Sequence, residues 1–287
     1  MTILTGRPAR ADVAFRWLAV GSAAIVLVIL GLIAVIMTAR AIPVLRESGF
    51  DFLLSRRWSP ADRVYGALPF MWGTLYTSAI AVTVSVPVSL GVALFITQVA
   101  PRWLKPSLVH LVDLLAVVPS VVFGLWGILM LAPHLGRSFL TAGLILGMMI
   151  TPTITSLSRE VIETTPTPEK EAALALGATR WEMIWGAIWP HSKGGIVGAV
   201  MLGLGRAMGE TIAAALTIGS AIGQITLNPL APGNSMPAVI ANQWGEAFDL
   251  QKSALIALAV LLFAITIVVN LIATAIVQRS MSGSGVR

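Results

Sequence analysis

The chain has 287 residues, 56% hydrophobic and only 11% charged, and its mean hydropathy of +0.87 describes a polypeptide solvated mostly by lipid. That length holds about six spans of ~20 residues with their loops, which leaves little room for a separate globular domain. The net charge of +6 lacks the clustered basic face and base-reading side chains of a nucleic-acid binder, and the absence of cysteine removes disulfides, thiolate metal sites and thiol nucleophiles.

Trp17 to Thr38 is uncharged and covers about 33 Å as a helix, enough to cross a bilayer. Arg7, Arg10 and Arg16 followed by Ala39-Arg40-Ala41 mimic a secretory signal, but the apolar part is longer than a signal core, so an uncleaved first span is expected. Arg40 to Tyr65, with Pro43, Gly49 and Pro60, reads as an extramembrane loop. Phe70 to Ala100 is an uncharged second span, longer than one upright helix needs, which predicts tilt or bending at Pro87. A third span runs from Ser107 to Ala132, with a bend expected at Pro119, and a fourth from Ser138 to Ser158 across Pro152. The fifth runs from Gly194 to about Gln224, and the sixth from Ser253 to Val277. The expected organisation is an all-α integral membrane protein of six spans: a cytoplasmic segment 1–16, a membrane domain 17–277 with an inner loop at about 159–193, and a cytoplasmic tail 278–287.

With the amino terminus inside, eleven Lys and Arg lie in inner segments, against Arg137 and Lys252 in the second and third outer loops. This agrees with the positive-inside rule, although Arg40, Arg46, Arg56, Arg57 and Arg63 in the first outer loop run against it. Both termini and the 159–193 loop then share the cytoplasmic side.

The stretch from Glu171 to Pro190 is amphipathic and broken by glycine. Ala172, Leu174, Ala175 and Leu176, then Trp181, Ile184, Trp185 and Ile188, recur at helical spacing, and Gly177 sits where a helix ends in a left-handed turn. Two short helices meeting at Gly177 are expected. They would offer an apolar knob to a groove on a soluble partner, or lie on lipid headgroups with Trp181, Trp185 and Trp189 at the interface. The residues favour neither.

Arg206 and Glu210 fall inside the fifth span, where a mid-bilayer charge costs on the order of 3 kcal/mol. At i and i+4 they share a helix face, so they form either a mutually neutralising ion pair or an anion pathway, with Arg206 offering a fork to an oxyanion and Glu210 holding it in place. Gly205 and Gly209 make a small-xxx-small face for close helix approach. Asp113, near the inner start of the third span, reaches the interface or pairs with a neighbouring helix. His110, His134 and His191 are scattered without metal-ligand spacing, and Asn242, Gln243, Glu246 and Asp249 lie in the last outer loop, solvated or meeting a partner. No Gly-x-x-x-x-Gly-Lys-[Ser/Thr] loop is present, so energy for any active process has to come from elsewhere, and nothing calls for a cofactor or metal.

Glu171-Ala172-Ala173, Gly177, Ile188 and Pro190 resemble the EAA signature of binding-protein-dependent ABC importer permeases. Trp58-Ser59-Pro60, Tyr65-Gly66-Ala67-Leu68-Pro69, the 116–127 run from Ala116 to Gly127, and Gly203-Leu204-Gly205-Arg206-Ala207-Met208-Gly209-Glu210-Thr211 narrow the likeness to PstC-type phosphate permease subunits, from about Phe50 to the sixth span. The short connection between the third and fourth spans departs from some relatives. The resemblance implies a type I importer (MetI-like) permease fold, with Glu171, Ala172, Ala173 and Gly177 in the element seated on the ATPase and Arg206 and Glu210 on the substrate pathway. It also implies partners: a homologous PstA-type permease, two PstB-type ATPases and a PstS-type phosphate-binding protein. Rivals are a permease for sulfate or molybdate, since one Arg cannot tell tetrahedral anions apart, and an ATP-independent secondary transporter. A membrane enzyme lacks a Ser/His pair, carboxylate cluster or metal spacing within the spans.

Overall fold

A computed structural model describes the backbone of residues 10–282 and side chains from 15 to 275. The expected inner segment and tail therefore lie largely outside the described residues, Arg7 and Arg287 included.

The first helix, α1 (Arg10–Ser48), does not stop at Thr38 as the loop reading required. It runs through Pro43, whose missing N–H and ring should open the helical ladder. Ser253, on the last helix, closes the gap: its hydroxyl accepts from Val44 N at 3.2 Å and donates to the Arg40 carbonyl at 2.9 Å. A side chain inserted into the ladder replaces the bond that the proline disturbs. The remaining outer segment is short and ordered. It holds α2 (Asp51–Leu54) and a two-residue ribbon of β1 (Trp58–Ser59) and β2 (Val64–Tyr65), with Trp58 packed edge-on against Tyr65 and Phe70.

The second span, α3 (Leu68–Leu94), passes through Pro87 without interruption and loosens into a π-type turn at Phe95–Val99. The third is sharply broken: α4 (Lys105–Val117) meets α5 (Ser120–Trp126), continued by a π-type turn and α6 (Ala132–Leu135), at 88°. Pro119 sits at that corner as the cap of α5, so the bend expected there is present and is larger than a tilt. The fourth span, α7 (Phe139–Glu163), extends five residues past the expected Ser158.

After an elbow of α8 (Thr167–Ala175) and α9 (Arg180–Met183), a π-type turn at Ile184–Ile188 leads directly into α10 (Trp189–Gly209). The fifth span thus starts earlier than expected and also ends earlier. Glu210 leaves the helix with an extended backbone, α11 (Ile212–Thr217) follows, and the chain turns at Gly219 with φ +98°. α12 (Met236–Gln243) and the long α13 (Asp249–Ser282) complete the molecule. Four helices are long and apolar enough to cross a membrane, and the bent α4–α6 unit raises the total to five among the described residues. α10 with α11 occupies the place of the remaining span.

α7 is the central post. Ala81, Leu146, Met149, Ile150, Ile154, Ala199 and Ala207 bury a common core where α3 and α10 pack on it. Its first turn is capped by the protein itself. The Ser138 hydroxyl accepts from Thr141 N, while Phe139 N and Leu140 N donate to the carbonyls of Ala231 and Pro229, so the exposed donors of a helix start are met by the loop that precedes α12. That loop lies against α3 at Gly73, where an added Cβ would sit 1.8 Å from the Asn234 carbonyl oxygen.

Gly73→Ala therefore forces backbone apart rather than a side chain. The expected cost is about 1–3 kcal/mol, read as a lowered thermal midpoint of the detergent-purified protein, with an unchanged midpoint as the contrary result.

Candidate functional site

Two places on the molecule carry the residues singled out by sequence, and both depend on α7 and α10. The first is the elbow between α7 and α10. α8 ends in a Schellman turn: Ala178 N donates to the Ala173 carbonyl and Gly177 N to the Leu174 carbonyl, with Gly177 at φ +86°. A side chain at 177 would meet open space, so the glycine is required by backbone conformation and not by crowding. Two residues later Thr179 opens α9 with a capping box, its hydroxyl accepting from Glu182 N and its own N–H donating to Glu182 Oε2 at 2.7 Å. The Thr179 backbone N–H, and then its hydroxyl, hold the Glu182 carboxyl below the usual carboxylate range.

The expected pair of helices meeting at Gly177 is present, with one correction: the second, α9, does not end as a short separate helix but runs through the π-type turn into α10. Among the signature residues, Glu171 and Ala172 are exposed, whereas Ala173 is half-buried against the cluster of Ala93, Ile162, Met183, Ile184, Ile188 and Ile196. Ala173 ties the elbow to the bundle and leaves its neighbours free. Leu176, at the tip, is 90% exposed and borders a groove of about 640 Å³ with Ala172, Gly186, Ala187 and Pro190. Trp181, Trp185 and Trp189 form a separate ladder with ring centroids 5.7 and 5.3 Å apart. The two sequence readings thus fall on different residues: an aromatic stripe suited to the lipid interface, and an apolar knob and groove suited to a protein.

The second place surrounds Arg206, in the last turn of α10. The i, i+4 ion pair with Glu210 is not formed, because the helix ends at Gly209 and Glu210 turns away. Arg206 Nη1 donates instead to Thr153 Oγ1 on α7 at 3.1 Å, and Glu210 Oε1 accepts from Ala213 N at 3.4 Å, capping α11. Glu210 therefore does not hold Arg206 in place; Thr153 does. The guanidinium keeps most of its five donors available and is exposed on the open face of α10 beside Gly205 and Gly209, where added methyls would meet nothing. The small-residue face expected from sequence exists, but no helix among the described residues packs on it.

One turn along the same face of α7, Asp113 on α4 accepts a hydrogen bond from Ser156 Oγ at 3.2 Å, and Lys105 pairs with Glu163 at 2.9 Å near the end of α7. Thr153 and Ser156 went unnoticed in the sequence. α7 also carries Thr151, Thr155 and Ser158, so nothing in the sequence alone singles them out.

Charged groups on a broken helix inside a membrane bundle, with a helical elbow on the neighbouring inner segment, define a transport subunit. The chain belongs to the family of binding-protein-dependent transport system inner membrane components, which matches residues 85–282, and within it to the PstC-type permeases. It is 38% identical to "Phosphate transport system permease protein PstC" of Xylella fastidiosa (strain Temecula1), over 95% of this chain and 92% of that one. It is 37% identical to the protein of the same name from Mesorhizobium japonicum, over 97% and 94%. The fold is similar to a chain of the inward-facing MetNI methionine ABC transporter, at TM-score 0.61 and 18% identity over 72% of this chain and 93% of that chain. An amino acid ABC transporter gives TM-score 0.54 at 17% identity, over 73% and 92%. The chain is accordingly a multi-pass membrane permease of the MetI-like, six-span type.

The capping box carries a pH signature. A depressed carboxyl contributes stability that is present above the unfolded glutamate value and lost as pH falls through the lower folded value. Hydrogen exchange at the Thr179 amide, corrected for its intrinsic rate, should accelerate across that acidic window. Glu182→Gln should flatten the response; identical profiles for the two proteins would count against the assignment.

Proposed function

We propose that this chain is the translocation subunit of an ATP-driven importer of inorganic phosphate, oriented with both termini and the elbow in the cytoplasm. It pairs with a homologous PstA-type permease, is driven by two PstB-type ATPases and receives phosphate from a PstS-type binding protein. ATP hydrolysis belongs to the partner, and this chain contributes the pathway. The observation that carries the reading is Arg206: a guanidinium at the break of the fifth span, steadied by one neutral hydroxyl and otherwise open. A fixed cation there offsets part of the desolvation of an anion leaving water, and a planar fork suits a tetrahedral oxyanion. Because its partner is a threonine and not a carboxylate, its charge is not cancelled. The names of the relatives support phosphate as the anion.

In this mechanism, ATP binding closes the ATPase pair around the elbows, with Leu176, Ala172 and the adjoining groove as the contact. α9, the π-type turn and α10 form one continuous helix from Arg180 to Arg206, about 39 Å long. A displacement at the elbow is therefore delivered as a rigid movement to Arg206, and α4, hinged at Pro119, is free to respond. The open face of α10 with Gly205 and Gly209 meets the second permease, so the anion passes between the two subunits, and hydrolysis resets the gate.

Arg206→Gln should reduce phosphate uptake in reconstituted vesicles by at least about tenfold, the size of a lost charge-assisted bond, while all subunits still co-purify; undiminished uptake would oppose the pathway role. Gly177→Asp should leave the protein in the membrane and abolish recovery of the ATPase with it. Normal recovery would show that the elbow is not the docking element.

A further inference from the structure

The pathway just described needs something that Arg206 alone does not provide, a means of telling one tetrahedral anion from another. α4 and α10 both pack on α7, and α7 forms the floor between them. Lys105 with Glu163 and Asp113 with Ser156 show that α4 runs antiparallel to α7; the Arg206–Thr153 bond brings the end of α10 to the neighbouring position on the same face of α7. Thr153 and Ser156 are one helical turn apart, so Arg206 and Asp113 address α7 at depths differing by only ~4.5 Å.

Asp113 is unusual for its position. It lies eight residues, about 12 Å, along α4 from Lys105, within an apolar helix, where an ionisable side chain is costly. No ion pair joins it to a cation among the described residues, and only its Oδ1 has a hydrogen-bond partner, the Ser156 hydroxyl. On these two helices Lys105 and Arg159 are engaged with Glu163 and Glu160, and His110 stands one turn from Asp113 on α4. Asp113 is exposed, and a carboxylate accepts hydrogen bonds and donates none, so its Oδ2 is open to a donor from a solute.

We infer that Asp113, positioned by Ser156, is the selectivity residue of the anion route: its free oxygen accepts the proton that inorganic phosphate retains at neutral pH, while Arg206 binds the ionised oxygens. Sulfate retains no proton there. It offers the carboxylate only like charge, so the same residue rewards one anion and repels the other. Arsenate, which is protonated like phosphate, passes the same filter. The inference rests on the phosphate-pathway reading and deepens it.

The test uses the assembled permease pair with its ATPases in lipid nanodiscs, without the binding protein, and measures displacement of radiolabelled phosphate by unlabelled phosphate, arsenate and sulfate. In the wild type, arsenate should compete as well as phosphate, and sulfate at least about tenfold less well. Asp113→Asn, whose amide donates as well as accepts, should weaken phosphate binding and bring sulfate within about threefold of it. Asp113→Glu should restore the wild-type order. Ser156→Ala should shift the ratio part of the way, and Ser156→Thr should restore it, which a purely structural role would not produce. An unchanged anion ranking in an assembled Asp113→Asn complex overturns the proposal, as does a wild type that does not prefer phosphate to sulfate. If Asp113→Asn does not assemble, the Ser156 pair decides by the same ratio. Arg206→Gln reports separately: loss of both anions upholds the pathway whatever Asp113 does, and phosphate held at wild-type strength removes it.

Discussion

Within a bilayer every polar group must find its partner inside the protein, because the solvent offers none. That constraint organises this molecule. Where α1 is disturbed by Pro43, the Ser253 hydroxyl restores the ladder; where α7 begins, loop carbonyls receive its free N–H groups; where α10 ends early, Glu210 caps the next helix. Arg206 and Asp113 satisfy the same rule only in part, each with one hydroxyl of α7. The buried hydroxyls of Ser78, Ser85 and Ser158 lack a partner altogether, but Arg206 and Asp113 differ from them in being charged and exposed, which is what the proposed route for a polar solute requires.

The same bundle suits the proposed transmission of force to that route. Gly177 permits a sharp turn at no steric cost, Thr179 and Glu182 fix its exit, and Ala173 binds it to the inner ends of α3, α7 and α10. The knob at Leu176 stays outside the bundle while its backbone is held rigidly. A lever that is stiff along its length and apolar at its tip suits a protein partner better than a headgroup layer, and the tryptophan ladder beside it serves the latter.

Much of this was legible in the sequence. Apolar runs located the second, fourth and sixth spans, Pro119 marked a corner, and Gly177 marked the elbow, because each depends on neighbours a few residues away. The misreadings involved distant partners. Nothing near Pro43 announces that Ser253, 210 positions later, lets the helix continue. Arg206 and Glu210 have the spacing of an ion pair, but that spacing holds only within a helix, and the backbone leaves the helix at Glu210. Thr153 and Ser156 read as tolerable polar residues in an apolar span until α10 and α4 bring a guanidinium and a carboxylate to them.

The central claim is that the open face of α10 at Arg206 lines a water-filled anion route. The chain contains no cysteine, so a single one at Gly205, where a side chain has room, reports on that face without background. In the assembled transporter, Gly205→Cys should react with a membrane-impermeant, negatively charged thiol reagent, and phosphate should slow the reaction. A cysteine that reacts only with lipid-soluble reagents, or whose labelling ignores phosphate, would contradict the account.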